Sequence, residues 1–152
     1  GWNLLALGYK NSGNIEEAIK IYKALIKAAP KTAMFHSNLG NAYISIGKIR
    51  EGISCFKQAL KLEPSSINAI EALGLAYLEI NKTGDAIKCF KRVVKLDPNN
   101  KVSLYYLANI YLTDRNWEKA KRYLPKTSHR LSKSHYLECL LALGEKEEFF
   151  NI

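Results

Sequence analysis

Residues 33–66 read AMFHSNLGNAYISIGKIREGISCFKQALKLEPSS, and residues 67–100, INAIEALGLAYLEINKTGDAIKCFKRVVKLDPNN, follow the same pattern. Both stretches hold a tyrosine, a proline and several small residues at matching places, 34 residues apart. The step extends beyond them, because the chain has the series Tyr9, Tyr43, Tyr77, Tyr111 and the series Pro30, Pro64, Pro98. So strict a period is typical of a chain built by stacking one repeated unit.

Small residues keep the same step in two further series. The first is Ala6, Gly40, Gly74 and Ala108, and the second is Ala18, Gly52, Ala86 and Ala120. Glycine inside a helix costs about 1 kcal/mol relative to alanine, so a close packing contact must offset that cost. We expect the two series to face each other across a pair of helices.

Each unit divides into two amphipathic halves separated by a helix-ending residue. In the second unit, Leu39, Tyr43 and Ile46 share one helical face, and Ile53 and Phe56 belong to the next. The residues between the halves are Gly13, Gly47 and Asn81, with Arg115 departing from the pattern at the fourth place. Glycine and asparagine tolerate the left-handed conformation that ends a helix. The pattern predicts two antiparallel helices in each unit.

Polar residues suited to begin a helix precede the predicted helices. Thr32, Ser66 and Asn100 stand 34 residues apart and are predicted N-caps. Asn14 with Glu17, three residues later, resembles a capping box.

Together these positions resemble the tetratricopeptide repeat. The matching residues are Trp2, Leu5, Ala6, Tyr9, Ala18, Tyr22 and Pro30 in the first unit; Leu39, Gly40, Tyr43, Phe56, Ala59 and Pro64 in the second; Leu73, Gly74, Tyr77, Ala86, Phe90 and Pro98 in the third; Leu107, Ala108, Tyr111, Ala120 and Leu124 in the fourth. The resemblance covers about residues 1–124. It implies an all-α fold, a right-handed α-solenoid (superhelix) of antiparallel helix–turn–helix repeats, whose first helices line a concave groove.

The predicted organisation is four repeats followed by an irregular end. The repeats are about 1–32, 33–66, 67–100 and 101–125, then a loop at 126–133 and a degenerate, truncated fifth repeat or capping helix at 134–152. Pro125 lacks a backbone donor, so the second helix of the fourth repeat should end near Leu124. The chain begins inside the first repeat without an initiator Met, and we expect a segment of a longer protein.

Residue patterns typical of catalysis, cofactor binding or metal binding are missing from the sequence, which indicates a segment that is not an enzyme. His135 and Cys139 have a chelating spacing, but two ligands without a third are weak evidence for a metal. Three cysteines do not indicate a disulfide framework, and we expect reduced thiols. A run of 18 apolar residues is also missing, so the sequence predicts no transmembrane segment; we expect a cytoplasmic protein.

The charge is strongly basic but unevenly placed. A net charge of +9 is typical of proteins that bind nucleic acid or anionic membranes. However, of 23 Lys and Arg only Lys10 and Lys101 fall in the predicted first helices. Phosphate binding needs cations along the track, so a groove lined by first helices should not bind nucleic acid. Binding of an anionic partner to the basic outer surface, formed by the second helices, stays open as an alternative.

The predicted groove is therefore nearly neutral, and we expect it to bind a protein or peptide partner. Helical spacing directs eleven residues to it: Asn3, Leu7, Met34, Asn38, Asn41, Asn68, Glu71, Leu75, Tyr105, Tyr106 and Asn109. Asparagine amides can pair with a peptide backbone, and leucine, methionine and tyrosine supply apolar contacts. The sequence predicts a scaffold for a largely uncharged peptide. The alternative is that these residues only face solvent or pack against a neighbouring repeat.

Some repeats of this family hold the acidic tails of heat-shock chaperones through a clamp that includes lysine and arginine. The matching places here are Asn3, Leu7, Asn38, Asn68 and Ala72, or Ser37, Asn41, Ala72, Val102 and Tyr106. Neither set contains a cation, so chaperone-tail binding is not expected. Two alternatives stay open: a substrate-recruiting arm of a larger enzyme whose catalytic domain lies elsewhere, and self-association through exposed repeat faces.

Overall fold

The computed structural model describes residues 2–11, 13–124 and 130–144. Within those ranges the secondary structure is entirely helical, with no strand. The helices are α1 (Trp2–Asn11), α2 (Ile15–Ala28), α3 (Ala33–Ser45), α4 (Ile49–Leu62), α5 (Ile67–Glu79), α6 (Thr83–Leu96), α7 (Lys101–Thr113), α8 (Trp117–Tyr123) and α9 (Arg130–Leu143). The predicted pairs of helices are thus present in each repeat.

The chain divides into two compact units, residues 1–89 and residues 90–152, with the boundary inside α6. In the first unit α1 packs on α2, α2 on α3, α3 on α4 and α4 on α5, and α3 also contacts α5. In the second unit α7 packs on α8, and α8 on α9. Within each unit the helices named here pack mainly against their neighbours in the chain, as expected of stacked repeats.

The turn inside each repeat has one hydrogen-bonding pattern. The N–H groups of Asn14, Lys48, Lys82 and Asn116 donate to the carbonyl oxygens of Tyr9, Tyr43, Tyr77 and Tyr111 at 2.9, 2.9, 2.8 and 2.8 Å. The residue before each donor has a positive φ: 83° at Gly13, 76° at Gly47, 57° at Asn81 and 52° at Arg115. A left-handed residue followed by a bond from the sixth residue to the first is the Schellman end of a helix. The predicted breaker position is confirmed in all four repeats, including the one that carries arginine.

The N-cap predictions are confirmed in position but only partly in chemistry. Thr32, Ser66 and Asn100 precede α3, α5 and α7, yet only Asn100 uses its side chain, accepting from the Ser103 N–H at 2.8 Å. The predicted capping box is wrong. Asn14 makes no side-chain cap, and the Glu17 carboxylate instead accepts from Lys20 Nζ at 2.6 Å.

The small residues meet as predicted in the second repeat. A Cβ on Gly52 would lie 3.1 Å from the carbonyl oxygen of Gly40 and 2.6 Å from Cδ1 of Ile44. A Cβ on Gly40 would lie 2.8 Å from Cε1 of Phe56, which is 1% exposed. Hydrogen in place of a side chain therefore lets α3 and α4 approach closely.

The core of the first unit is built on the repeat positions. Ala6, Ala18, Ile19, Tyr22, Leu39 and Ala42 form one buried cluster across α1, α2 and α3. Its largest member, Tyr22, is 0% exposed, and among the described residues its hydroxyl oxygen has no hydrogen-bond partner. The same position holds Phe56 and Phe90 in the next two repeats, so the apolar ring is what the packing requires.

The second unit contains the irregular end of the chain. The helix before Pro125 ends at Tyr123, close to the predicted Leu124. In the same unit Tyr111 of α7 stacks on Tyr123 of α8, with ring centroids 5.8 Å apart. The predicted loop at 126–133 is wrong in its second half, because α9 begins at Arg130, four residues before the expected Ser134. Residues 125–129 and 145–152 lie outside the described part of the chain.

Candidate functional site

Three of the predicted groove residues meet between the first helices of repeats one and two. The Asn38 amide on α3 donates from Nδ2 to Oδ1 of Asn3 on α1 at 3.1 Å. Nδ2 of Asn3 in turn lies 3.9 Å from the sulfur of Met34. Met34 is 49% exposed, and both asparagines are half-buried. We call Asn3, Met34 and Asn38 the amide cluster; it offers polar groups and a flexible apolar side chain on one accessible surface.

The neighbouring predicted residues of this unit lie on α3 and α5 and vary in accessibility. Asn68 is exposed, whereas Asn41, Glu71 and Leu75 are half-buried. The side-chain amides of Asn41 and Asn68 form no hydrogen bond within the described part of the chain, so their donors and acceptors are available to a ligand. The side chain of Leu7 is not among those that the structure describes.

Charge is scarce on these helices. Between them α3 and α5 contain no lysine or arginine, and their acidic residues are Glu71 and Glu79. The surface formed by α3 and α5 therefore offers no cation to an anionic ligand. By contrast, exposed lysines are abundant on the second helices, for example Lys23, Lys27, Lys57 and Lys61.

The remaining predicted residues lie in the second unit, on α7. Tyr105 is 59% exposed, while Tyr106 and Asn109 are half-buried. Tyr106 stacks on the buried Phe90 with ring centroids 5.1 Å apart and an interplanar angle of 8°. Tyr105 meets Tyr106 edge-on, at 5.6 Å and 79°. Val102, which is 45% exposed, lies on the same face. It was named only as a clamp position and not among the eleven groove residues, although it stands three and four residues from the tyrosines.

The repeat tyrosines contact lysines of the preceding repeat. Lys23 Nζ lies 5.8 Å from the ring centroid of Tyr43, Lys57 Nζ lies 5.8 Å from that of Tyr77, and Lys91 Nζ lies 5.9 Å from that of Tyr111. Each lysine belongs to the second helix of one repeat and each tyrosine to the first helix of the next. Such cation–π contacts contribute about 0.5–1 kcal/mol at exposed sites. The lysines keep the 34-residue step, a signal present in the sequence but not used.

The cysteines are placed for packing rather than reactivity. All three are described, each as a thiol outside any disulfide, and Cys89 and Cys139 are buried. Burial raises the pKa of the Cys55 thiol to about 11, and burial also raises the pKa of Cys139. A raised pKa disfavours the thiolate, which is the form that attacks or binds a metal.

The described residues contain neither a metal-binding cluster nor a helix able to span a membrane. Within residues 2–11, 13–124 and 130–144 there is no group of three or more His, Cys, Asp or Glu side chains able to hold a metal ion. Over the same residues, each helix is too short or too polar to cross a bilayer.

A cavity of about 400 Å³ lies away from the predicted site, between α1 and α2. It is lined by Trp2, Lys20, Ile21, Ala24, Leu25 and Ala28. None of the eleven predicted groove residues lines it, and its walls are mostly apolar.

Comparison of the sequence with protein families supports the repeat assignment along most of the chain. Two family models described as tetratricopeptide repeats match residues 1–32 and 40–81. A third, described as anaphase-promoting complex, cyclosome, subunit 3, matches residues 79–149 and so extends past the last regular repeat. No curated protein gives a significant match over the sequence.

Solved structures share the fold. A crystal structure of MamA is 22% identical, with 99% of this chain and 85% of that chain covered and a TM-score of 0.82. The first tetratricopeptide domain of Spaghetti (RPAP3), bound to the HSP90 peptide SRMEEVD, is 26% identical, with coverages of 75% and 90% and a TM-score of 0.71. The second such domain of human RPAP3, in complex with the HSP70 peptide SGPTIEEVD, is 29% identical, with coverages of 72% and 91% and a TM-score of 0.68.

These matches agree with the helix pairs, the turn geometry and the residue series described above. They confirm the predicted all-α fold of solenoid class, and the related domains with bound peptides identify this architecture as a scaffold for protein interactions. The chain belongs to the tetratricopeptide-repeat family.

Proposed function

We propose that the first helices of the repeats bind a peptide segment of low net charge. The observation that carries this proposal is the amide cluster, in which Asn38 and Asn3 are joined at 3.1 Å beside the exposed Met34. The bond between the two amides holds both side chains in a defined orientation, which lowers the entropy lost when a ligand binds. Their remaining donors and acceptors can pair with peptide backbone groups of any sequence.

Apolar contacts next to the amides would supply most of the affinity. Met34 on α3 and Leu75 on α5 offer accessible apolar surface on the two neighbouring first helices. Methionine adapts its shape to different partners, which suits a site that reads few side chains. We expect an affinity near micromolar, which corresponds to about −8 kcal/mol.

The charge on the surface formed by α3 and α5 disfavours acidic peptides. The RPAP3 domains are bound to peptides that end in EEVD, which carry several negative charges. In this chain α3 and α5 have no cation, and Glu71 would repel an acidic tail. A carboxylate moved from water to this surface would lose hydration without gaining an ion pair. We therefore propose that the ligand is not an acidic chaperone tail.

Selection from a random peptide library displayed on phage tests the site. The purified 152-residue chain is the bait, and a Met34→Ala/Asn38→Ala/Asn41→Ala variant is used in parallel. Alanine is the best helix former, so the variant should keep α3 folded. A matched control, Ser54→Ala/Gln58→Ala/Lys61→Ala, removes three exposed side chains from α4.

We expect selected peptides with a mean net charge near zero, bound by the wild type and the α4 control and lost from the α3 variant. Equal binding of the same peptides to the α3 variant would contradict the assigned site. Failure to select any peptide would contradict peptide binding itself.

Fluorescence anisotropy with labelled SRMEEVD tests the charge argument separately. The wild type should bind this peptide at least about tenfold more weakly than it binds the selected peptides. An Asn41→Lys/Asn68→Lys variant, which adds two cations to the same surface, should bind SRMEEVD more tightly and lose that gain at high salt. Tight binding of SRMEEVD by the wild type would show that the exclusion of acidic tails is wrong.

A further inference from the structure

We propose that the exposed face of α7 binds a proline-rich peptide segment in polyproline II conformation. This face comprises Val102, Tyr105, Tyr106 and Asn109, and we call it the tyrosine shelf. The proposal rests on the proposed function, since it names the class of peptide that one first helix would recognise.

The two tyrosine rings have a fixed geometry. Tyr106 lies flat against Phe90, which is 0% exposed, so the ring of Tyr106 rests on the buried core. Tyr105 stands at 79° to Tyr106, so the two rings form the walls of a corner. Offset-stacked and edge-to-face pairs are the arrangements that aromatic rings favour, beyond the effect of their buried area. The corner is therefore formed before any ligand arrives.

The shelf leaves both apolar and polar groups without a partner. Tyr105 is 59% exposed and Val102 is 45% exposed, which is high for two large apolar side chains one helical turn apart. The hydroxyls of Tyr105 and Tyr106 and the amide of Asn109 form no hydrogen bond within the described part of the chain. These hydroxyl and amide groups are consequently available as hydrogen-bond donors beside the apolar surface of Val102 and the tyrosine rings.

A proline-rich segment matches these groups better than other uncharged peptides. The polyproline II helix forms no internal hydrogen bonds, so its carbonyl oxygens remain free to accept from tyrosine and asparagine donors. Its pyrrolidine rings pack on aromatic surfaces, and aromatic-lined grooves are the usual docking sites for such segments. Because the conformation is already populated in the free peptide, little entropy is lost on binding.

Charge on α7 is consistent with this ligand. Between Lys101 and Asp114 the helix contains no acidic or basic residue. An uncharged proline-rich segment would therefore remove no ion from water on either side of the contact. Within α7 a basic segment would find no acidic partner, and an acidic segment could pair only with Lys101 at the first position of the helix.

Anisotropy measurements with fluorescein-labelled decaproline, and with a glycine–serine peptide of equal length, test the proposal on the 152-residue chain. The informative variants are Tyr105→Ala, which removes one wall of the corner, and Tyr105→Phe, which removes only the hydroxyl. Leu141→Ala is the matched control, because Leu141 is an exposed apolar residue of α9 at 63%. Circular dichroism melting checks that each variant is folded. Because Tyr105 is exposed, we expect its substitution to leave the fold intact.

We expect the wild type to bind decaproline about tenfold or more tightly than the glycine–serine peptide, and Tyr105→Ala to lose about tenfold. Tyr105→Phe should lose a smaller factor, and Leu141→Ala none. Equal binding of the two peptides, or an unchanged affinity in Tyr105→Ala, would overturn the proposal. If the phage library yields ligands without proline while decaproline fails, the proposed function stands and only this inference falls.

Discussion

The backbone N–H of Asn116 donates to the carbonyl oxygen of Tyr111 at 2.8 Å, across a turn in which Arg115 has a φ of 52°. The same bond closes the turn at Gly47, between Lys48 and Tyr43 at 2.9 Å. The left-handed conformation costs a non-glycine residue about 1–2 kcal/mol. The fourth repeat therefore accepts local strain to keep the helix end that the other repeats form with glycine or asparagine.

Replacing Arg115 with glycine should raise the free energy of unfolding. The relief of strain exceeds the extra backbone entropy of glycine in the unfolded chain, and the net gain should be about 0.5–1 kcal/mol. Arg115→Val should lower the free energy of unfolding, since a β-branched side chain fits the left-handed conformation poorly. Chemical denaturation followed by circular dichroism measures both. A loss of stability in Arg115→Gly would show that the arginine side chain makes a compensating contact.

Two glycines inside helices should respond in opposite ways to alanine. Apart from its chain neighbours and the nearby backbone of its own helix, no described atom lies within 4 Å of a Cβ added at Gly8 on α1, so Gly8→Ala should stabilise the chain by up to about 1 kcal/mol. At Gly40 the added Cβ would lie 2.8 Å from Cε1 of Phe56, a ring with no space to move. Gly40→Ala should therefore destabilise the chain by about 1–3 kcal/mol. Equal effects at the two sites would contradict the close approach of α3 and α4.

Tyr22→Phe should stabilise the first unit. The hydroxyl of Tyr22 is buried and has no hydrogen-bond partner in the part of the chain that the structure describes, and such a group costs about 1–3 kcal/mol in lost hydration. Phenylalanine keeps the ring, and phenylalanine is the residue at this position in the second and third repeats. Thermal and chemical denaturation of the wild type and the variant should show a higher free energy of unfolding for Tyr22→Phe. A loss would indicate that a water molecule or another group satisfies the hydroxyl.

Stability should fall at alkaline pH because of Cys55. Burial raises the pKa of its thiol from 9.0 to about 11, whereas the unfolded chain releases the proton near 9. Between these two pKa values the unfolded state therefore binds fewer protons than the folded state. The stability that the Cys55 thiol contributes is complete below about pH 9 and is lost as the pH rises towards 11. The difference in unfolding free energy between wild type and Cys55→Ala, followed from pH 7 to 10.5, isolates this contribution. A difference that does not change with pH would contradict the burial of the thiol.

The fold could be predicted from the sequence because its determinants repeat. Proline, tyrosine and small residues recur at a 34-residue step, and each marks a backbone constraint: a helix start, a helix end or a close approach of two helices. The positive φ of Arg115 illustrates the strength of that constraint. The conformation is required by the bond between Asn116 and Tyr111, so it persists where the residue type no longer favours it.

The irregular end was predicted less well. Pro125 correctly indicated the end of α8, but the first turn of α9, residues 130–133, has the polar composition of a loop. A solvated helical turn and a loop have the same polarity, so composition could not separate them. Only the contacts of the completed helix decide the boundary.

Details of the candidate site could not be predicted, because they depend on distances between helices. Helical spacing places Asn3 and Asn38 on the inner faces of their helices, but it does not tell whether their amides meet. Likewise the perpendicular rings of Tyr105 and Tyr106 depend on Phe90, a residue of the preceding helix. The function of the chain is thus proposed from residues that do not keep the 34-residue step.

The most direct test of peptide binding by the first helices is a two-dimensional NMR titration of the labelled chain with a peptide selected from the library. The account predicts that the largest changes in amide chemical shift fall on α1, α3 and α5, including the side-chain amides of Asn3 and Asn38, with the second helices little affected. Changes concentrated on the basic second helices, around Lys23 and Lys57, would contradict it.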